Sequence, residues 1–242
     1  GLAVVVVLFV LDRPQHDFLL YTLARMATIV VGMTVGFLVN RLIHPPDALG
    51  RARAELAEGN RELDASIDRL LLSLSHPQDY PAAQLSQDAD EARRRLSAAR
   101  TLLDFAEAEG RAEDAETLRE AHAVLEGFVA AVAVIHRIAA DMGGVGYGPE
   151  REALAAAMRA LQAYKGAVLD GVLRGAAVDR EAARKCEAAL AAFDGLVSAL
   201  IDRRDRREYG LQLHLILSEM RHMGWRLHPL GRRAETGGRQ AP

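Results

Sequence analysis

Cysteine is nearly missing from this sequence: Cys186 stands alone among 242 residues. No disulfide can form within the chain, and a structural zinc site built on several thiolates is excluded. Aromatic residues make up only 5% of the chain. Clusters of Val, Ile, Tyr and Thr are almost absent beyond position 39, which argues against a strand-rich fold. Neither sign of charge dominates. Thirty Lys and Arg against 33 Asp and Glu leave a formal charge of −3. The two signs interleave, so the basic stripe that a nucleic-acid partner needs is missing.

What is present is helix-forming. Ala, Leu, Glu and Arg dominate from position 48 onward, and these residues lose little rotamer freedom in a helix. The sequence therefore reads as all-α, and the stretch beyond residue 46 is long enough to bury a core of its own.

Residues 1–46 are of a different kind. Residues 1–11 are apolar throughout, with no starting Met and no basic region ahead of them of the sort a signal peptide carries. As a helix they reach about 16 Å, against roughly 30 Å of bilayer hydrocarbon. They are read as the tail of a truncated transmembrane helix. A polar turn from Asp12 to Asp17, broken by Pro14, leads to a second apolar stretch, residues 18–39, whose single charge is Arg25. That stretch meets the length of a membrane span. Asn40, Arg41 and His44 end it on a polar belt, and Pro45 and Pro46 stop the helix. The expectation for 1–46 is a transmembrane helical hairpin. Ala24, Thr28, Gly32, Gly36 and Asn40 recur every four residues and line one face. Lipid gives helices no hydrophobic drive to associate, so Gly32 and Gly36 are expected to pack closely on another membrane helix. Arg13 is alone in the turn, whereas Arg41, Arg51 and Arg53 follow the second helix, which puts the large domain in the cytoplasm.

From residue 47 the apolar positions keep spacings of three and four. Leu49, Leu56, Leu63 and Leu70 stand at heptad intervals, joined by Ile67 and Leu74, as in a coiled-coil seam. Further stripes follow: Leu85 to Ala106, Leu118 to Ala139, Leu154 to Val168, Cys186 to Leu200, and Tyr209 to Leu227. Gly110 is a candidate C-cap or kink, Pro149 suits a first turn, and Asp179 suits an N-cap. Six helices are expected, joined by short connections into an antiparallel bundle over residues 47–228. The apolar run 123–135 contains Glu126 and is assigned to the bundle core. Residues 229–242, rich in Gly and Arg, are expected to form a disordered tail.

No catalytic constellation stands out, and neither an enzyme activity nor a cofactor is expected. The glycines of 143–148 are followed by no Gly-Lys-Ser/Thr, so they read as a turn rather than a phosphate cradle. His122 and Glu126 are one helical turn apart, with His136 further along, which falls short of three ligands on one face. His122 reads as an ordinary hydrogen-bonded histidine. His214, His222 and His228 lack four-residue spacing, and Met220 and Met223 fall on the core stripe. Arg203, Arg204, Arg206 and Arg207 alternate with Asp202, Asp205 and Glu208, as in a solvated helix junction.

The order Arg25, Thr28, Gly32, Gly36, Asn40, Pro45-Pro46, followed by the heptad helix from Leu49, resembles the aromatic acid exporter family, related to fusaric acid resistance proteins. The likeness covers residues 18–75. It implies a multi-pass protein of the bacterial inner membrane that exports small, often aromatic, organic acids and assembles as an oligomer through its membrane helices, with further membrane helices preceding Gly1. By this match Arg25, Thr28 and Asn40 lie nearest the transport pathway, with Gly32 and Gly36 at packing positions. The implied partners are lipids, other membrane helices or subunits, and a small organic anion. The competing expectation is a membrane-tethered helical scaffold or oligomerisation domain without transport.

Overall fold

The structure, a computed structural model, describes residues 18–43, 47–75, 82–142 and 148–237. Among these residues there are seven helices and no strand. The chain divides into two compact units, Gly1–Pro46 and Asp47–Pro242. The first contains α1 (Phe18–Ile43); the second contains α2 (Ala48–Ser75), α3 (Ala82–Ala108), α4 (Ala112–Asp141), α5 (Pro149–Arg174), α6 (Arg180–Ile201) and α7 (Arg207–Gly237). The apolar run 1–11, the turn at 12–17, the break at 76–81 and the glycines of 143–147 lie outside the described residues.

Local chemistry sets the helix ends. Asp47 follows the two prolines, and its Oδ1 accepts the Gly50 N–H at 2.9 Å, capping the first turn of α2. Pro149 occupies the first turn of α5, with Glu150 and Glu152 complementing the positive end of the helix. Asp179 caps α6 as expected, accepting the Glu181 N–H at 2.8 Å. Two stops use glycine in the left-handed region, Gly110 at φ +83° and Gly175 at φ +70°. There the chain turns back so that the Arg111 and Ala176 N–H groups reach the Ala106 and Asp170 carbonyls.

The stripes read from the sequence form the core. Leu49, Leu56, Leu63, Ile67 and Leu70 of α2 are buried, facing a ladder of small and large residues on α3: Ala92, Leu96, Ala99, Leu103 and Ala106. Gly59 lets the two backbones come close, since a Cβ there would sit 3.4 Å from Leu96 Cδ2. α4 is packed by α2, α3, α5 and α7, while α6 packs on α5 and α7. Among the described residues α4 is also the one helix long and apolar enough to cross a membrane. Twelve of its residues are buried, from Ala115 to Ala139, and Glu113, Glu116, Arg119, Glu126 and Arg137 lie along it. It is the central helix of this domain, as the run 123–135 suggested. Within α1 the apolar stretch found among the described residues, Thr22–Gly36, is too short to meet this criterion.

The C-terminal segment departs from expectation. Residues 229–237 continue α7 instead of forming a disordered tail. Pro229 forfeits one backbone hydrogen bond, but it faces solvent, and the turn beyond it is anchored by packing. Leu230 is 1% exposed. Gly231 lies against Tyr164 and Val168. Arg233 pairs with Glu116 at 3.0 Å and Glu120 at 3.2 Å. Apolar contact beyond the proline outweighs the breaker.

Leu230→Ala should therefore destabilise the domain by about 2–5 kcal/mol in urea unfolding. Leu72→Ala, at a leucine of α2 that is 56% exposed, should cost under about 1 kcal/mol. Equal costs for the two would mean that the end of α7 is not packed.

Candidate functional site

α1 carries the expected site residues, and its helical spacing sorts them. Arg25, Gly32 and Gly36 are seven and four residues apart, within about 20° of one line along the axis, while Thr28 and Asn40 flank that line by roughly 60° on opposite sides. Arg25 and Thr28 are exposed. The Asn40 side chain lies outside the described residues. A Cβ added at Gly32 or Gly36 would meet nothing within 4 Å, so the backbone is bare along this line.

The rest of the α1 surface is apolar on every side. Leu23, Met26, Ile29, Val30, Val31, Met33, Val35, Leu38 and Val39 are all large and exposed. Two of its hydroxyls are used within the helix. Thr28 Oγ1 donates to the Ala24 carbonyl at 2.8 Å and Thr34 Oγ1 to the Val30 carbonyl at 2.7 Å. A threonine bonded in this way presents mainly its methyl group outward, the form suited to a medium without water. Arg25 is the one charge between Thr22 and Val39.

In the helical domain the notable polar group is one that the sequence reading passed over. Lys165 of α5 is 0% exposed. Its ammonium donates to Asp64 Oδ1 at 2.8 Å and to Asn60 Oδ1, both on α2, and lies 5.8 Å from the centroid of the Phe128 ring on α4. Burial pulls its pKa below the usual lysine value, against the opposing pull of Asp64 and then Asp68. The signal was available. Position 165 continues the stripe Leu154, Met158, Leu161 of α5, and Asn60 and Asp64 are one turn apart beside Leu63 on α2.

Other candidates resolve into ordinary structure. His122 is buried and donates Nε2–H to the Leu96 carbonyl at 2.9 Å, with Glu126 at 3.8 Å. His136 lies 14 residues further along α4, half-buried, its pKa lowered by that burial. Met220 and Met223 are in the core, whereas His214, His222 and His228 are exposed. Among the described residues no three His, Cys, Asp or Glu side chains are grouped to hold a metal. A cleft of about 250 Å³ is lined by Tyr164, Cys186, Leu190, Arg221, Trp225 and His228. Its cations already face carboxylates, Arg221 with Asp194 at 3.0 Å and His228 with Glu187 at 3.8 Å. Cys186 is 2% exposed, its thiol pushed up to about 11 by burial and by Glu187. The arginines at 203–207 form an exposed turn between α6 and α7, as a solvated junction should. The chain matches no family model, no curated protein and no solved structure.

Two outcomes follow from this chemistry. Asp64→Ala should cost about 3 kcal/mol or more in denaturant unfolding, because it strips a buried ammonium of its carboxylate, while Lys165→Met should be near neutral or stabilising. A large loss for Lys165→Met with none for Asp64→Ala would reverse the assignment of the buried charge. The Cys186 thiol is protonated at pH 8 and covered, so iodoacetamide should label the folded chain at least about a hundredfold more slowly than the urea-unfolded chain. Equal rates would show the thiol to be open.

Proposed function

We propose that this chain is the C-terminal portion of a bacterial inner-membrane exporter of small organic acids. In this reading α1 is the second helix of a transmembrane hairpin, and the six-helix domain is an antiparallel bundle on the cytoplasmic side. The supporting observation is the surface of α1. A helix of 26 residues, about 39 Å long, whose described side chains between Thr22 and Val39 are exposed and mostly apolar on every side is poorly suited to water and well suited to lipid and neighbouring helices. The full helix is longer than the roughly 30 Å of hydrocarbon, although its described apolar stretch, Thr22–Gly36, is shorter. The resemblance of residues 18–75 to aromatic acid exporters supplies the transport activity and the class of substrate.

Within that reading Arg25 has a defined role. It stands seven residues into the helix, about 10 Å along the axis, where an unpaired charge costs a few kcal/mol unless water, a carboxylate or the interface receives it. A guanidinium offers two parallel N–H donors to a carboxylate, so Arg25 is assigned to attracting the organic anion, with Thr28 and Asn40 beside the path. The bare line at Gly32 and Gly36 is where another membrane helix packs. The domain assigns no reaction to itself. The second reading, a membrane-tethered helical scaffold, is favoured by one observation: Leu211, Leu215 and Trp225 form an exposed apolar line on α7.

The two readings separate on one substitution. For an exporter, Arg25→Lys in the complete gene should keep protein level unchanged and reduce export of an organic acid in resistant cells several-fold, because lysine cannot make the bidentate contact; Arg13→Lys should not. For a scaffold, resistance is the same in both variants at equal expression.

A further inference from the structure

Among the described residues, most of the large exposed apolar side chains of the helical domain lie on the outward side of α4 and α7. On α7, Leu211 is 48% exposed, Leu215 55% and Trp225 68%, with Ser218 and His222 completing a line at spacings of three and four. Beside it, α4 presents small residues, the exposed Ala123 and Ala130 and the partly exposed Val134. The two helices are in register along this side. Glu116 meets Arg233, and the Arg226 guanidinium lies over Gly127. The same register carries Val134 to the neighbourhood of Leu215 and Ser218. Between them runs an open groove of about 350 Å³, lined by Ala123, Val124, His222, Trp225 and Pro229 among others.

A two-fold axis perpendicular to the helices sets α4 of each copy across from α4 of the other, running in the opposite direction, and the α7 ridge across from its own copy. The charges fit this operation. Glu126 and Arg137 are 11 residues apart, three turns, on the same side of α4, and both are exposed. Between them on that side stand only Ala130, Ala133 and Val134. Two such helices side by side in opposite directions place Glu126 of each copy opposite Arg137 of the other. The centre of that pairing falls between residues 131 and 132. On α7 the corresponding point lies near residue 220, midway between Leu215 and Trp225, so the same axis brings Leu215 of one copy to Trp225 of the other. Two independent pairs, one of charge and one of shape, thus agree on one axis. Opposite charges flanking a small apolar centre match this chain itself better than they match an anionic lipid surface, which Glu120 and Glu126 would repel.

We infer that the α4–α7 face binds a second copy of this chain, the two related by a two-fold axis beside Ala130, with Trp225 packed on Leu215 of the partner copy. The inference does not rest on the role proposed for α1. The test uses the full chain in mild detergent, where the native Cys186 thiol is buried and a single added cysteine reports proximity. Ala130→Cys should form a disulfide-linked dimer under mild oxidation at least tenfold faster than Ala156→Cys, an exposed position on α5. In the Ala130→Cys background, Glu126→Arg alone or Arg137→Glu alone should slow linking at least fivefold, and the two together should restore it. Leu215→Glu should abolish it. The inference is overturned if Ala130→Cys links no faster than Ala156→Cys, or if the double reversal links as slowly as the single ones. It is equally overturned if the particle has the mass of a dimer while Ala130→Cys stays unlinked, since association then runs through another surface, α1 included.

Discussion

The helical domain depends on the burial of α4. Four of the five other helices of the domain pack on it, so its middle turns are enclosed except on the side of Ala123, Glu126, Ala130 and Val134, and the residues that fill them are apolar around much more than one stripe. A helix enclosed by protein and a helix enclosed by lipid face the same demand, apolar contact with every polar backbone group satisfied internally. That is why α4 meets the length and composition of a membrane span while serving as a core. Its polar exceptions follow the same demand. His122 spends its N–H on the Leu96 carbonyl, and the Phe128 ring lies close to the Lys165 ammonium.

How far the sequence could be read depended on whether the deciding contact was local. The heptad leucines of α2 and the stripes of α3 to α7 are periodic over many turns, and periodicity survives without knowledge of the partner. Asp179 and Pro149 act within their own first turns, and both were legible. Lys165 was not picked out because residue type suggested an exposed side chain, although its position on the α5 stripe said otherwise. Its burial rests on Asn60 and Asp64, about a hundred residues away in sequence. The end of α7 was misread for the same reason. Pro229 and the glycines beyond it signal a stop, and only the long-range contacts of Leu230, Gly231 and Arg233 overrule them. On α1 the face was legible as a pattern of residues, and its geometry follows from helical spacing alone.

Glycine shows how differently one residue type can be used. Gly59 and Gly171 are places where a neighbour presses in; at Gly171 an added Cβ would lie 2.9 Å from Val178 and 3.1 Å from Ala234. Gly32 and Gly36 have no such neighbour. The helical domain uses glycine in both ways, since Gly166 and Gly195 are as open as Gly32 and Gly36.

The ion pair between Arg233 and Glu116 closes a loop of 117 residues. α7 packs on α4, α5 and α6, so it fills a slot formed by helices synthesised before it. Until it arrives, Leu161 and Leu190, which lie beside Gly224 of α7, lack that neighbour. Helical domains usually fold fast because their contacts are local, whereas this closure requires a long chain segment to be gathered before it is rewarded. The domain therefore combines helical secondary structure, which forms in microseconds, with a final docking step whose speed is set by chain topology. During that interval its apolar slot is open to whatever else is present.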